Sequence, residues 1–231
     1  MKSRFNLNPK GPLTIWERPE PRDSYIIGGD GSEGVVDGDN SCAQVISRSK
    51  FKQVAVWHGK IEPYEWGREL FMLGLYYNTA LLAVERNLAG GTTIDCLLKM
   101  AYPNLYKMIK FDQGEQDVMD RYGWITTIHS RALMIGNLRD VVRENSLVLS
   151  DPDTLSEMKT FVKNPPKVVG RDGKIEASPG NNDDRVMSLA IACYLHKSLD
   201  MPVPPDRTVL TERLGLHDDS DYVKEMARGG Y

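Results

Sequence analysis

The sequence predicts an α/β domain built on a mixed sheet flanked by helices, and three observations carry that prediction. Short apolar runs end in glycine or a carboxylate, as in Tyr25-Ile26-Ile27-Gly28-Gly29-Asp30, the pattern of buried strands that stop at a turn. Elsewhere apolar residues recur every three or four positions, as at Trp66, Leu70, Leu73 and Tyr77, the spacing of one helix face. The two kinds of segment alternate after an initial group of strands. Early hairpins then pair antiparallel, and the later crossovers permit parallel pairing.

Residues 1–23 contain Pro9, Pro12, Pro19 and Pro21 without a sustained period, and read as a linker or extended lead-in. The domain is expected over residues 24–200, with a loosely attached tail over 201–231 that opens on Pro202, Pro204 and Pro205. Within the domain, the first strand ends at Asp30 and a polar, glycine-rich loop runs from Gly31 to Asn40. Strands near Ala43–Ile46 and Val54–Trp57 are joined across Arg48-Ser49-Lys50. Glu62-Pro63 opens a helix, because proline is best tolerated in the first turn. A strand over Ala80–Glu85 follows, and Gly90-Gly91-Thr92-Thr93 starts a second helix that reaches Met100. Leu105–Met108 is a further strand candidate, and Ile128 to about Asn145 is an amphipathic helix with Ile135, Leu138, Val141 and Val142 on one side. Thr154 and Glu157 have capping-box spacing ahead of Met158 and Phe161. Asp172-Gly173, inside Lys167–Ala177, is a hairpin signal. Asp183-Asp184 then open an apolar helix through Val186, Leu189, Ile191 and Leu195.

With 231 residues, 41% hydrophobic and 26% charged, the chain is long and apolar enough for a sizeable core. That balance excludes collagen-like, disordered and disulfide-scaffold classes. A formal charge of −3 argues against a strongly basic nucleic-acid-binding arm or patch. No run approaches the roughly 18 apolar residues of a membrane span, and no signal-peptide core follows Met1-Lys2-Ser3-Arg4. Cys42, Cys96 and Cys193 are odd in number and widely spaced, as reduced core thiols of an intracellular protein would be. His58, His129, His196 and His217 are scattered and read as solvated or core residues, and Trp57 and Trp66 as core.

The carboxylates carry the chemistry. Asp30 and Glu85 each end an apolar strand, and Asp183-Asp184 begin an apolar helix. If the two strands pair in parallel, their ends lie about 5 Å apart, at the edge where ligands collect in α/β sheets. A helix crossing that edge from Asp183 adds the remaining acids. Taken singly, each acid also reads as a turn residue or a complement to a helix dipole. Taken together, they form an oxygen-only donor set suited to Mg²⁺ or Mn²⁺. Two such ions about 3.5–4 Å apart serve phosphodiester hydrolysis. The absence of histidine and cysteine from the set points away from zinc. Arg86, Lys60 and the Lys167/Arg171/Lys174 segment are candidate phosphate contacts.

Gly28-Gly29-Asp30-Gly31-Ser32-Glu33-Gly34 with Asp37-Gly38-Asp39-Asn40-Ser41 resembles the first nuclease motif of the large terminase subunits of tailed bacteriophages. Tyr76 to Asn87, containing Leu81-Leu82-Ala83-Val84-Glu85, resembles their second motif, and Asp183-Asp184-Arg185-Val186-Met187-Ser188-Leu189-Ala190 their third. Gly123-Trp124-Ile125-Thr126-Thr127 with Arg131 is also similar to the family, and the match runs from about Tyr25 to Leu199 in the family's order. The resemblance implies an RNase H-like mixed sheet flanked by helices, and a metal-dependent endonuclease that cuts concatemeric double-stranded DNA during viral genome packaging. It implies Asp30, Glu85 and Asp184 as catalytic residues and core metal ligands, Asp183 as an additional ligand or orienter, and Asp39 as an acid beside the metals. Two Mg²⁺ or Mn²⁺ ions are the implied cofactors. The implied partners are double-stranded DNA, a portal protein, a small terminase subunit and a packaging ATPase domain, with no membrane, in the host cytoplasm.

Two departures stand out. Asn182 occupies the position where the family frequently has a histidine, and no GxxxxGK[ST] loop is present, so the chain reads as the nuclease half without ATP hydrolysis. His217-Asp218-Asp219 is set aside as the third motif because Ser220-Asp221, not an apolar helix, follows it. Two alternatives stay open on the sequence: a junction resolvase of the same fold, and a non-catalytic module docking DNA or portal. With the five proposed acids assigned to one metal cluster, the remaining charge is slightly basic, which permits a DNA-facing surface.

Overall fold

The apolar runs become a central five-stranded sheet in the computed structural model, which describes residues 11–35, 38–86, 89–111, 118–163, 175–177 and 182–199. In chain order the elements are β1 (Leu13–Ile15), β2 (Tyr25–Asp30), β3 (Ser41–Ser47), β4 (Lys52–Gly59), α1 (Pro63–Tyr76), β5 (Leu81–Val84) and α2 (Gly90–Lys99). They continue with β6 (Lys107–Phe111), β7 (Val118–Tyr122), α3 (Ile128–Arg143), α4 (Pro152–Thr160), β8 (Phe161–Lys163), β9 (Ile175–Ala177) and α5 (Asp184–Ser198). The strand order is β1-β4-β3-β2-β5. Pairing is antiparallel from β1 through β2 and parallel between β2 and β5, the mixed sheet that the sequence predicts.

Both faces of this sheet are covered, so its strands read as apolar runs, not as alternating ones. Ile27, Val45 and Leu82 face α1 and α2, where Trp66, Leu70, Leu73, Tyr77, Ile94 and Leu97 complete one core. Ile26, Ile46 and Ala83 face the opposite layer, with Met134 and Leu138 of α3 and Val186, Leu189 and Ile191 of α5. Consecutive residues pointing to opposite faces produce this division. Glu62 caps α1 by accepting from the Tyr64 and Glu65 amides, with Pro63 in the first turn, as the sequence indicates.

The packing that decides where α5 lies is at Gly28. A Cβ there would overlap the Ser188 carbonyl oxygen and fall 2.8 Å from the Ala192 nitrogen. Only a residue without a side chain lets the helix backbone rest directly on β2. With α5 so placed, its first turn reaches the C-terminal end of β2.

A buried polar network fixes the same turn from the other side. Asp151 caps α4, and its Oδ2 accepts from Thr154 Oγ1 at 2.6 Å and from Arg185 Nη1 at 2.7 Å. Gln44 donates to Thr154 Oγ1 at 2.9 Å, and Gln53 donates to Gln44 Oε1 at 2.6 Å. The Arg185 guanidinium also meets Asp153 at 3.3 Å and Glu157 at 3.4 Å. Its Nη2 lies 3.1 Å from His58 Nδ1. A guanidinium only donates, so His58 accepts at Nδ1 and is held neutral. Burial, then the Arg185 charge, lowers the His58 pKa to about 4.

Several expectations are corrected by the geometry. Leu13–Ile15, inside the segment read as a lead-in, pairs with Ala55–Trp57 as an edge strand. Thr154 is not the cap of α4: Asp151 is, because Pro152 fits the first helical position and Thr154 is already buried inside the helix. The strand expected at Leu105–Met108 begins at Lys107 and pairs with β7, while Leu105 makes only an isolated parallel bridge to Leu82. β8 and β9 pair antiparallel with Lys163 opposite Ile175, and Asp172-Gly173, the expected hairpin turn, lie outside the described residues. So do Lys167, Arg171, Lys174, His217 and the tail over 201–231. Among the described residues no helix is long and apolar enough to cross a membrane.

Gly28→Ala is expected to destabilise the fold by about 1–3 kcal/mol, the usual cost of overpacking, read as a lower urea midpoint. Gly136→Ala is the matched control. Gly136 sits within α3 and a Cβ there meets nothing within 4 Å, so it should gain about 0.4–1 kcal/mol. His58 gives a pH dependence. Its folded pKa lies below the unfolded value near 6.5, so the unfolded chain takes up the proton first as pH falls. The His58 contribution is therefore intact above about pH 6.5 and is lost progressively towards about pH 4. Urea titrations of His58→Gln against the parent should show the stability difference shifting in the variant's favour across that window.

Candidate metal centre

Parallel pairing sets Ile26 to Gly29 against Leu81 to Val84, and the Glu85 amide continues the ladder by donating to the Gly29 carbonyl at 2.8 Å. Asp30 and Glu85 therefore leave adjacent strands at the same edge. The edge is closed on the far side by Trp124, whose amide donates to the Val84 carbonyl at 2.7 Å and whose carbonyl accepts from the Arg86 amide at 2.6 Å. Glu85 and Trp124 form a parallel bridge. Gly90, in the first turn of α2, abuts the Glu85 carbonyl so closely that a Cβ would overlap it.

Asp183 and Asp184 come to this edge with the first turn of α5. The Asn40 amide donates to Asp184 Oδ2 at 3.3 Å, tying the loop after β2 to the helix start. Ser32 and Ser41 lock the base of the same loop, with the Ser32 amide 3.1 Å from Ser41 Oγ. A cleft of about 460 Å³ opens between these elements and is lined by Asp30, Asp39, Glu85, Asp183, Asp184 and Arg131. All five acids expected from the sequence thus line one concavity.

The electrostatics follow from crowding like charges on an apolar scaffold. Burial, then the neighbouring Glu85 carboxylate, and then Asp184 and Asp183, push the Asp30 pKa well above the ordinary carboxylate range. Burial, then Asp39, raises Asp184 to about 7, against the opposing hydrogen bond from Asn40. Asp184 is only 7% exposed. Arg131 offsets part of this charge, with Nη2 3.0 Å from Asp183 Oδ2.

The donor set fits a hard divalent cation: the cleft lining offers carboxylates and no histidine or cysteine. The side chains are not gathered on one point. Among the described residues no group of three or more His, Cys, Asp and Glu is drawn together as a ligand set.

Four residues that sequence reasoning did not place among the site residues act here. Arg131 holds Asp183, Asn40 donates to Asp184 through its backbone, and Glu157 and Arg185 brace the helix start, Glu157 accepting from the Arg185 amide at 3.0 Å. Arg131 carries a local signal: a cation near the N-terminus of a helix with no acid in its first turn is opposed by the dipole. Arg86, a candidate phosphate contact from the sequence, donates from Nη1 to the Tyr122 carbonyl at 3.0 Å. The thiols of Cys42, Cys96 and Cys193 are free and buried, as expected.

No protein-family model matches the chain, and no curated protein matches it in sequence. Solved structures do. The large terminase nuclease from thermophilic phage G20c with bound magnesium superposes with a TM-score of 0.64 at 17% identity, over 80% of this chain and 87% of that one. The cobalt-bound form of that nuclease gives 0.62 at 16% identity, over 80% and 87%. The large terminase nuclease domain of Thermus phage P74-26 gives 0.61 at 18% identity, over 84% and 90%. The mixed five-stranded sheet and its flanking helices are therefore the fold of large terminase nuclease domains.

Proposed function

We propose that this chain is a divalent-metal-dependent DNA endonuclease, the nuclease part of a viral large terminase, cleaving concatemeric double-stranded DNA by two-metal phosphodiester hydrolysis. The observation that carries the reading is the convergence of Asp30, Glu85, Asp183 and Asp184 on one cleft, within a fold shared with terminase nucleases. The metal-bound G20c structures support the same reading, as does the carboxylate-rich lining of the cleft, which holds no histidine or cysteine.

Asp30, Glu85 and Asp184 would hold Mg²⁺ or Mn²⁺, with Asp183 and Asp39 beside them. A bound cation supplies Lewis acidity for phosphodiester hydrolysis. The protein's own part is placement. Asp30 and Glu85 are fixed by the β2–β5 ladder, so their backbones do not move independently. Asp184 is fixed by a buried helix turn and by the Asn40 amide. Rigid mounting of this kind converts a diffuse acidic cluster into a site of defined shape, which is what positioning catalysis requires. Ser32, Val35 and Asn40, from the loop after β2, line the cleft beside the acids. In this reading the partners are duplex DNA and, within the packaging machinery of an infected cell, a portal protein, a small terminase subunit and a packaging ATPase.

Cleavage of supercoiled plasmid in Mg²⁺ or Mn²⁺ tests the reading. Activity should vanish in EDTA, and Asp30→Ala should lose on the order of a hundredfold or more, since metal-dependent charge stabilisation is worth several kcal/mol. An Asp30→Ala variant that cuts as fast as the parent would sink the proposed site. Cation binding has its own readout. Mn²⁺ at about a hundred times its dissociation constant should stabilise the native state by about 2.7 kcal/mol, seen as a rise in melting temperature that Asp30→Ala diminishes.

A further inference from the structure

Asp183 stands at the position that caps α5, and an aspartate there ordinarily folds back to accept from the helix amides. It does not: no side-chain capping bond is made by Asp183. The amide of Arg185, one of those a capping side chain would take, is accepted instead by Glu157 Oε2 at 3.0 Å from the neighbouring α4. Glu157 thus caps α5 from outside and releases the Asp183 carboxylate. That carboxylate turns to Arg131, with Nη2 and Oδ2 3.0 Å apart.

Arg131 is well prepared for this contact. It sits on the first turn of α3, which Thr127 and Ser130 close as a reciprocal capping box. Its amide donates to the Thr127 carbonyl at 2.9 Å. Its guanidinium lies 6.0 Å from the Phe161 ring centre, and its side chain is only 16% exposed, against 32% for Asp183. The pair lines the same cleft as Asp30, Asp39, Glu85 and Asp184.

We propose that Arg131 is the built-in counter-cation of the cleft, holding Asp183 and competing with divalent metal for that carboxylate. The inference rests on the reading of the cleft as a cation site. A carboxylate engaged by a guanidinium presents fewer lone pairs to a metal, and the apparent affinity for the metal falls by the fraction of Asp183 left unengaged. Asp30, Glu85 and Asp184 then form the ready part of the site. Asp183 joins only when Arg131 yields, so full loading of the cleft is graded and not all-or-none.

A double-mutant cycle on Mn²⁺ affinity, read by calorimetry on the full chain without DNA, tests this. Arg131→Gln should bind Mn²⁺ more tightly than the parent by about three- to fivefold, the upper scale of one partly exposed charge pair. In an Asp183→Asn background the same substitution should change affinity by less than about twofold, because the competition has been removed. Arg131→Lys, which keeps the charge but loses the planar fork, should fall between the parent and Arg131→Gln. It serves as the second variant if Arg131→Gln folds poorly by circular dichroism. An equal gain in both backgrounds would overturn the proposal in favour of a general charge effect. Unchanged Mn²⁺ affinity of Arg131→Gln, with weaker binding to a duplex oligonucleotide in a separate titration, would overturn it in favour of a phosphate contact. If neither the parent nor any variant binds Mn²⁺, the cation site itself falls. If the parent binds Mn²⁺ and Arg131→Gln does not bind it more tightly, only the competition falls.

Discussion

The direct seating of α5 on β2 at Gly28 is the contact on which the rest of the molecule depends. Helix and strand backbones normally stand apart by the thickness of their side chains; here that thickness has been removed at one position. The consequence is geometric. A helix that crosses a sheet at this depth delivers its first turn to the sheet edge, not above it. The acids of that turn therefore share a cleft with acids from two strands. The same seating explains why α5 is buried on nearly all sides, from Val186 to Cys193, and why it reads as uniformly apolar instead of striped.

A helix so deeply buried needs its polar groups answered. The Arg185 guanidinium is the hub of that answer, reaching Asp151, Asp153 and Glu157 while its amide is accepted by Glu157. A buried ion network adds little net stability, because desolvation offsets the attraction, but it is costly to disrupt and it specifies one geometry. The network anchors the residue next to Asp184. Its value to the site is in direction: the helix start is pinned from the α4 side, and the cleft side is left to Asp183 and Asp184.

Much of this is legible in the sequence, for identifiable reasons. Asp30 and Glu85 follow apolar runs whose length marks strand ends, so the sequence places both at strand ends and, once the strands pair in parallel, at a shared edge. The parallel β2–β5 pairing is one that the intervening helix permits. Other features are illegible because they are made by contacts distant in sequence. Asp183 reads, taken singly, as a complement to the α5 dipole, and nothing local reveals that Glu157, on another helix, accepts from an amide of the α5 first turn. Thr154 and Glu157 have the spacing of a capping box, but Asp151 with Pro152 behind it competes for the same helix end and wins. β1 is too short to show a period, and it forms because β4 offers an open edge.

The acidic cleft is also where the fold works against itself. Asp30 and Asp184 both favour the protonated state relative to their unfolded forms. In linkage terms, at neutral pH such raised carboxylates subtract from stability, because the unfolded chain holds the charge more easily. The scaffold carries that cost through the two cores that sandwich the sheet and through Arg131, placed beside Asp183. Strain of this kind persists only where the surrounding structure over-determines it. The ladder between Gly29 and Glu85 and the contact at Gly28 supply that determination. The acids are thus kept together by the two cores, by Arg131 and by the backbone contacts at Gly28 and Glu85, and this is the arrangement in which added cations would gain most.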